Sequence, residues 1–345
     1  MAYISFQPSD FYNTKLYTGT GSSNAITGVG FQPDFTWIKT ILVAESHVLF
    51  DAVRTNGYYL KSDATSAEID GSSSGTNLWT SFDSDGFTVD STGARTNTNT
   101  YNYVSWNWKA GTTSGLTGGT ITPSAYSINT TSGFSIIGYT GTMALATVPH
   151  GLGKAPKLII CKQYNTSRHW NSYWSGIGAT KYIAFDSTAA ATSSTRWNDT
   201  EPDATVFTVK NQDETNGAGT MVAYCFTDIK GYSSIGSYTG NNNTDGTFVY
   251  CGFSPAYVII KNSESTDVMV VCDNKRAGYN DDNRPISPYN TSAEETGDYG
   301  VRLVSNGFKC IKNNGKTNGD GKKMVYAAFA EFPFVSSNSK AGTAR

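Results

Sequence analysis

Tyr17-Thr18-Gly19, followed by Gly30-Phe31-Gln32-Pro33-Asp34-Phe35-Thr36-Trp37-Ile38-Lys39, decides the fold, because its framework returns twice in the same order. Tyr-Thr-Gly recurs at Tyr139-Thr140-Gly141 and Tyr238-Thr239-Gly240. Each time a Pro follows 16 or 17 residues after the Tyr, with a Gly three before it and a Lys six after it. These are Gly30, Pro33 and Lys39; Gly153, Pro156 and Lys162; Gly252, Pro255 and Lys261. Such recurrence in a chain with only 10 prolines marks an internal repeat. The Gly and Pro stop one strand and launch the next, with Pro at a strand start, where its missing N–H matters least. The launched strands are Phe35–Ile38, Leu158–Cys161 and Tyr257–Ile260. They are apolar on both alternations, which predicts central strands covered on both faces. The following Lys reads as a strand-end residue reaching solvent, with a common ligand contact as the alternative.

Working outward, each copy closes on an aromatic strand: Tyr103–Trp108, Met221–Phe226 and Met324–Phe329. Val104, Trp106 and Trp108 share one alternation, as do Val222, Tyr224 and Phe226, and Val325, Ala327 and Phe329. Between these ends Val48-Leu49-Phe50-Asp51 with Arg54 matches Val270-Val271-Cys272-Asp273 with Arg276. The second copy has Trp170-Asn171-Ser172-Tyr173-Trp174 there and lacks the acid–base pair. Thr-Ser-Ala-Glu at 65–68 returns at 291–294, with Thr188-Ala189-Ala190 as a degraded counterpart. Asp85-Gly86 and Asn306-Gly307 precede short alternating runs, a hairpin signal. The expected fold class is all-β: three tandem β-sandwich, jelly-roll-like repeats of roughly 95 residues. The expected segments are an N-terminal arm 1–13, repeat 1 at 14–110, a Gly/Thr/Ser-rich linker 111–132, repeat 2 at 133–228, repeat 3 at 229–334 and a polar tail 335–345.

Composition agrees. Gly numbers 35 of 345 residues, aromatics are 13%, and charged residues are 16% against roughly 25% in ordinary soluble domains. The net charge of −2, with no Lys/Arg cluster, argues against nucleic-acid binding. The N-terminus lacks a signal-peptide pattern, and no apolar run approaches a membrane span. Neither a nucleic-acid partner nor membrane insertion is therefore expected. Cys161, Cys225, Cys251, Cys272 and Cys310 are odd in number and widely spaced, and read as free, mostly buried thiols of a reducing cytoplasm.

Chemistry is hard to find. His47, His150 and His169 fall at different repeat phases, and no metal-site, nucleophile-elbow or phosphate-loop motif occurs. No catalytic, cofactor-binding or metal residues are expected. Asp83-Ser84-Asp85-Gly86 has the look of a calcium-loop fragment but reads better as a hairpin turn. Asp281-Asp282-Asn283 reads as a solvated loop rather than a cation site, and Asp51/Arg54 and Asp273/Arg276 as a repeated structural ion pair. The densest aromatic stretch with polar tips is Tyr164–Trp174; its Arg168, His169, Trp170, Tyr173 and Trp174 are the candidate surface-binding set.

Several of these stretches resemble a repeat family of tailed phages of marine bacteria. They are Tyr-Thr-Gly, Gly30–Lys39, Leu49–Arg54, Ser84–Phe87, Trp106–Ala110, His150–Gly153 and Phe332–Ser337. The resemblance covers nearly the whole chain. It implies a non-enzymatic virion structural protein, a tail-fibre-like appendage or a capsid-decorating component, made in the host cytoplasm and carried on the bacteriophage particle. The partners it implies are other virion proteins, further copies of the chain (a homo-oligomer, with a trimer as the guess) and a host-surface glycan at attachment. A lectin-like carbohydrate-binding module is the second expectation, and a glycan depolymerase with paired carboxylates the third.

Overall fold

In the computed structural model, residues 5–71, 78–90, 93–276, 284–295, 297 and 299–333 are described. The Asp281–Asn283 loop and the tail 335–345 lie outside them. The chain is all-β, with 41% strand and 4% helix.

Each unit is built round one antiparallel arrangement. In the first, the opening strand Tyr12–Thr18 pairs with the closing strand Asn102–Trp108, which pairs with the launched strand Phe35–Thr40, which pairs with Val48–Asp51. The same order runs Phe134–Thr140, Thr220–Phe226, Leu158–Gln163, Asn171–Trp174 in the second unit. In the third it runs Ser233–Thr239, Lys323–Pro333, Phe253–Asn262, Val270–Asp273. Register is shared too: Phe35 faces Trp108, Leu158 faces Phe226, and Tyr257 faces Phe329. The launched strands are internal and buried, as their two-sided apolar pattern requires.

A second, smaller sheet covers each main sheet. It comprises Asn24–Thr27, Gly86–Val89 and Ser81–Asp83 in the first unit, and Ala146–Pro149 with Val206–Val209 in the second. In the third it comprises Phe248–Tyr250, Gly307–Cys310 and Val301–Val304. Between the two sheets lies a unit-specific core, such as Val48, Phe50, Trp79, Phe87 and Tyr103 in the first unit. Both expected hairpin turns form, and Asp85 accepts the amides of Gly28 and Gly30.

The opposite faces of the three main sheets meet in one shared core. Trp106, Trp108, Tyr224, Phe226, Ala327 and Phe329 belong to a single buried cluster, joined by Phe35, Leu158 and Tyr257. Rings from different units pack directly: Trp108 lies 5.5 Å from Phe329 and 6.2 Å from Phe226, and Phe226 lies 5.6 Å from Phe329. The alternation Val104-Trp106-Trp108 therefore faces the molecular centre. Its neighbours Tyr103, Ser105 and Asn107, small or polar in part, are equally buried. The small polar ones are satisfied internally, as where Thr36 donates to Asn107 at 3.0 Å. Each unit is thus a two-sheet sandwich, and the three units share one centre.

Three segment expectations are corrected. The stretch 111–132 is not a free linker. Its Ala125–Asn129 pairs antiparallel with Phe134–Thr140, and Ile121 and Ile128 enter the second unit's core. The alternating Tyr-Ser-Ile run at 126–128 carried that signal under the Gly-rich surroundings. Within 1–13, Phe6 and Phe11 pack edge-on with Tyr232 of the third unit, so this lead-in is part of the body where it is described. Pro255 does not start its strand; it lies inside Phe253–Asn262 at a register shift, where a bulge tolerates the missing N–H.

Candidate functional site

The repeated lysines do not reach solvent. Lys39, Lys162 and Lys261 are all fully buried. Each turns back at its strand end and donates to carbonyl oxygens of the loop that follows. Lys39 Nζ donates to Thr40 O at 2.9 Å and Val43 O at 3.3 Å; Lys261 Nζ donates to Ser265 O at 2.8 Å and also to Asn262 O; Lys162 Nζ donates to Arg168 O. Burial lowers all three to about 8 from the ordinary lysine value.

Two of these ammonium groups also hold the neighbouring unit. Lys162 donates to Thr65 O of the first unit at 2.8 Å, and Lys39 to Thr291 O of the third at 3.3 Å. The Thr-Ser-Ala-Glu segments are therefore docking arms. Glu68 N bonds Tyr164 O at 2.8 Å, Ala191 N bonds Ser263 O at 2.8 Å, and Glu294 N bonds Ile41 O at 3.2 Å. Every acceptor stands two residues past a repeat lysine. Unit one docks on unit two, two on three, and three on one, so the ring closes.

The acid–base pairs serve the same seams. Arg54 Nε meets Asp51 at 2.7 Å and Arg276 Nε meets Asp273 at 2.7 Å, all buried, in keeping with a structural ion pair. Glu68 and Glu294 of the docking arms complete each arginine at 3.2 and 3.6 Å. Neighbouring carboxylates hold both guanidinium groups more firmly protonated against the cost of burial. The acids also accept across the seams, Asp51 from the Tyr224 hydroxyl at 2.7 Å and Asp273 from Trp106 Nε1 at 3.2 Å. In the third pairing, register puts Trp174 at the acid's position and Ala327 at the donor's. A ring and a methyl group of the shared core thus occupy the positions that hold an acid and its donor at the other two seams.

The proposed surface set meets this architecture and fails as a surface. Trp170, Tyr173 and Trp174 are 1%, 2% and 0% exposed. Trp170 donates to Lys61 O of the first unit at 2.8 Å, Tyr173 to Glu201, and Trp174 to Ser172 at 2.8 Å. The run's aromatics fill the shared core and the second unit's own core. Only its tips are open: Arg168 pairs with Asp213 at 2.7 Å, and His169 faces Asp186 at 3.0 Å.

The Tyr-Thr-Gly motif is structural as well. The hydroxyls of Tyr17, Tyr139 and Tyr238 donate to the carbonyls of Thr96, Thr215 and Thr317 at 2.7, 2.6 and 2.5 Å. The next residues, Asn97, Asn216 and Asn318, are fully buried and accept the amides of Thr20, Thr142 and Asn241. This thrice-repeated Thr-Asn, six or seven residues before the closing-strand valine, was legible in the sequence and is the repeat's least obvious signature.

Reactive groups are withdrawn. Burial pushes Cys161 and Cys251 up to about 12 and Cys310 to about 11, and lowers His47 and His150. His47 accepts from Trp37 Nε1 at 2.9 Å. Asp83 is held by Ser81 and Thr88 and Asp85 by two amides, so the Asp83–Gly86 turn is occupied by its own chain. Among the described residues no group of His, Cys, Asp and Glu is placed to hold a metal ion, and no helix is long and apolar enough to cross a membrane. A small apolar cavity of about 30 Å³ sits at the shared centre, lined by Phe35, Tyr224, Tyr257 and other core residues. Among the described residues the exposed aromatic side chains are elsewhere, at Phe248, Tyr250 and Phe332.

Neither the curated proteins nor the solved structures include a match to this chain. A family model does match it, over residues 7–333, spanning all three units at once. The chain belongs to the family described as Domain of unknown function (DUF7483).

Proposed function

We propose that this protein is a non-enzymatic structural component of a bacteriophage virion, an appendage or capsid-decorating part that assembles with other virion proteins and with further copies of itself. The observation that carries this reading is the closed ring. Two of the three repeated lysines, both acid–arginine pairs and the closing-strand aromatics join one unit to the next. What remains to differ between units is the loop set on the outside, which suits a rigid body presenting separate contact surfaces. Three related units round one centre also give a single chain an approximately threefold form, compatible with docking on a symmetric particle. Four of the five cysteines are buried, and two of the three imidazoles, His47 and His150, are buried and lowered, which supports a non-enzymatic reading. Mass spectrometry and immunogold labelling of density-purified particles from cells infected with a phage encoding this chain test the reading. The protein is expected in stoichiometric amount at one particle site. Its absence from particles, together with a strict monomer in mass photometry, overturns it.

A further inference from the structure

The small outer sheets occupy equivalent places in the three units, so they act as controls for one another. Their edge strands are Asn24–Thr27, Ala146–Pro149 and Phe248–Tyr250. Val249 and Ile26 both point into their unit cores. The residues on either side of them point outward. In the first unit these are Ala25 and Thr27, both exposed, and the equivalent register positions of the second unit hold Thr147, half-buried, and Pro149, buried. The second unit's strand is also lined by its own chain, since Thr120 N and Ile121 N both bond Thr147 O at 3.0 Å. In the third unit the outward residues are Phe248 and Tyr250, 46% and 57% exposed.

We propose that Phe248 and Tyr250 form a sugar-stacking platform that binds a surface glycan. This deepens the virion reading above and rests on it for the biological setting. Residues two apart on a strand face the same way, about 7 Å from one another. Across the sheet Tyr250 faces Gly307, so no side chain stands opposite its ring. Phe248 faces Lys309, which is ion-paired with the largely exposed Asp245. That bond to Lys309 holds the Asp245 carboxyl below its usual range. Arg302 is next in register beyond Lys309. Two rings beside a carboxylate and an ammonium match a pyranose, which has an apolar C–H face for stacking and hydroxyl edges for hydrogen bonds. An apolar protein partner would instead call for rings desolvated among apolar neighbours. The sequence held the signal: Phe-Val-Tyr stands where the other copies have Ala-Ile-Thr and Thr-Val-Pro.

The purified full chain is screened on an array of bacterial surface polysaccharides, and the best-bound polysaccharide is titrated by calorimetry. Phe248→Ala/Tyr250→Ala is expected to weaken binding at least about tenfold. Tyr250→Phe should retain most of it, because stacking needs the ring. The melting temperature should stay unchanged, since exposed side chains contribute little to stability. Leu145→Ala, at another exposed apolar position, should bind as the wild type does. No array binding, or undiminished binding by the double variant, overturns the proposal. So does a double variant that loses a virion protein partner while no polysaccharide ever bound. These readouts use the isolated chain, so they separate failure of the glycan site from failure of particle incorporation.

Discussion

At the residue scale, the clearest lesson is that a missing motif was replaced rather than lost. Asp51 is fully buried and neutralised by Arg54, and it also accepts from Tyr224 of the next unit. Removing it strands a buried guanidinium and an unpaired hydroxyl. Asp51→Ala is therefore expected to cost about 3–5 kcal/mol, read from chemical denaturation. The repeated pair was visible in the sequence at Asp51/Arg54 and Asp273/Arg276. Its purpose was not, because the partners Tyr224 and Trp106 are 173 and 167 residues away. Histidine gives a pH signature. Burial keeps His47 neutral in the fold to well below its ordinary 6.5, whereas the unfolded chain protonates near that value. The contribution of neutral His47 is thus present above pH 6.5 and lost as pH falls through it, by up to about 1.4 kcal/mol per pH unit. Thermal melts between pH 7.5 and 5.5 should fall more steeply for the wild type than for His47→Gln.

At the scale of elements, the launched and closing strands were readable because two-sided burial needs apolar residues on both alternations. Phe35-Thr36-Trp37-Ile38 and Leu158-Ile159-Ile160-Cys161 show this directly. The turn that ties them was less readable, since its bonds join distant residues. Gly141 is a sharp test of it. A Cβ there would run into the carbonyl of Gly217 and the backbone of Asn216, neither of which is a flexible side chain. Gly141→Ala should force that turn apart and lower stability by about 1–3 kcal/mol, the usual range for overpacking. Loss of hydrogen-exchange protection is expected first at Thr142 and Met143, whose amides Asn216 holds. The run Tyr164–Trp174 illustrates the opposite error. Aromatics with polar neighbours look alike in sequence whether they face water or a neighbouring unit, and it is their burial and contacts such as that of Trp170 with Lys61 O that separate the two.

At the scale of the molecule, the shared core makes the units interdependent. An excised second unit, residues 111–228, would expose Phe134, Ile136, Trp170, Tyr224 and Phe226, which are buried in the whole chain. At roughly 1.5–3 kcal/mol for each large side chain left in water, that loss rivals the total stability of a small domain. The excised unit is expected to aggregate or to bind hydrophobic dyes. The full chain should instead unfold in one calorimetric transition, and three separate transitions would contradict a common core. Ring closure carries its own test. Lys39→Met removes the ammonium linking Thr40, Val43 and Thr291. Exchange protection of Glu294 N, which bonds Ile41 O, is expected to fall before that of Glu68 N at the opposite seam.

The sequence by itself determined the all-β class, the strand-launching and strand-closing segments and the three-fold recurrence of their framework. Those depend on local patterns, namely period-two burial, turn residues and fixed spacing, which each segment carries alone. The tertiary structure alone decided that the core faces of the three closing strands meet in one shared centre, that the repeat lysines are buried, and that the loop aromatics are core. Those outcomes depend on what lies opposite a side chain, and here the opposite residue belongs to another unit. The same reason moved the candidate surface from Trp170 and Trp174 to Phe248 and Tyr250, where the third unit has rings on a face that the second unit lines with its own chain.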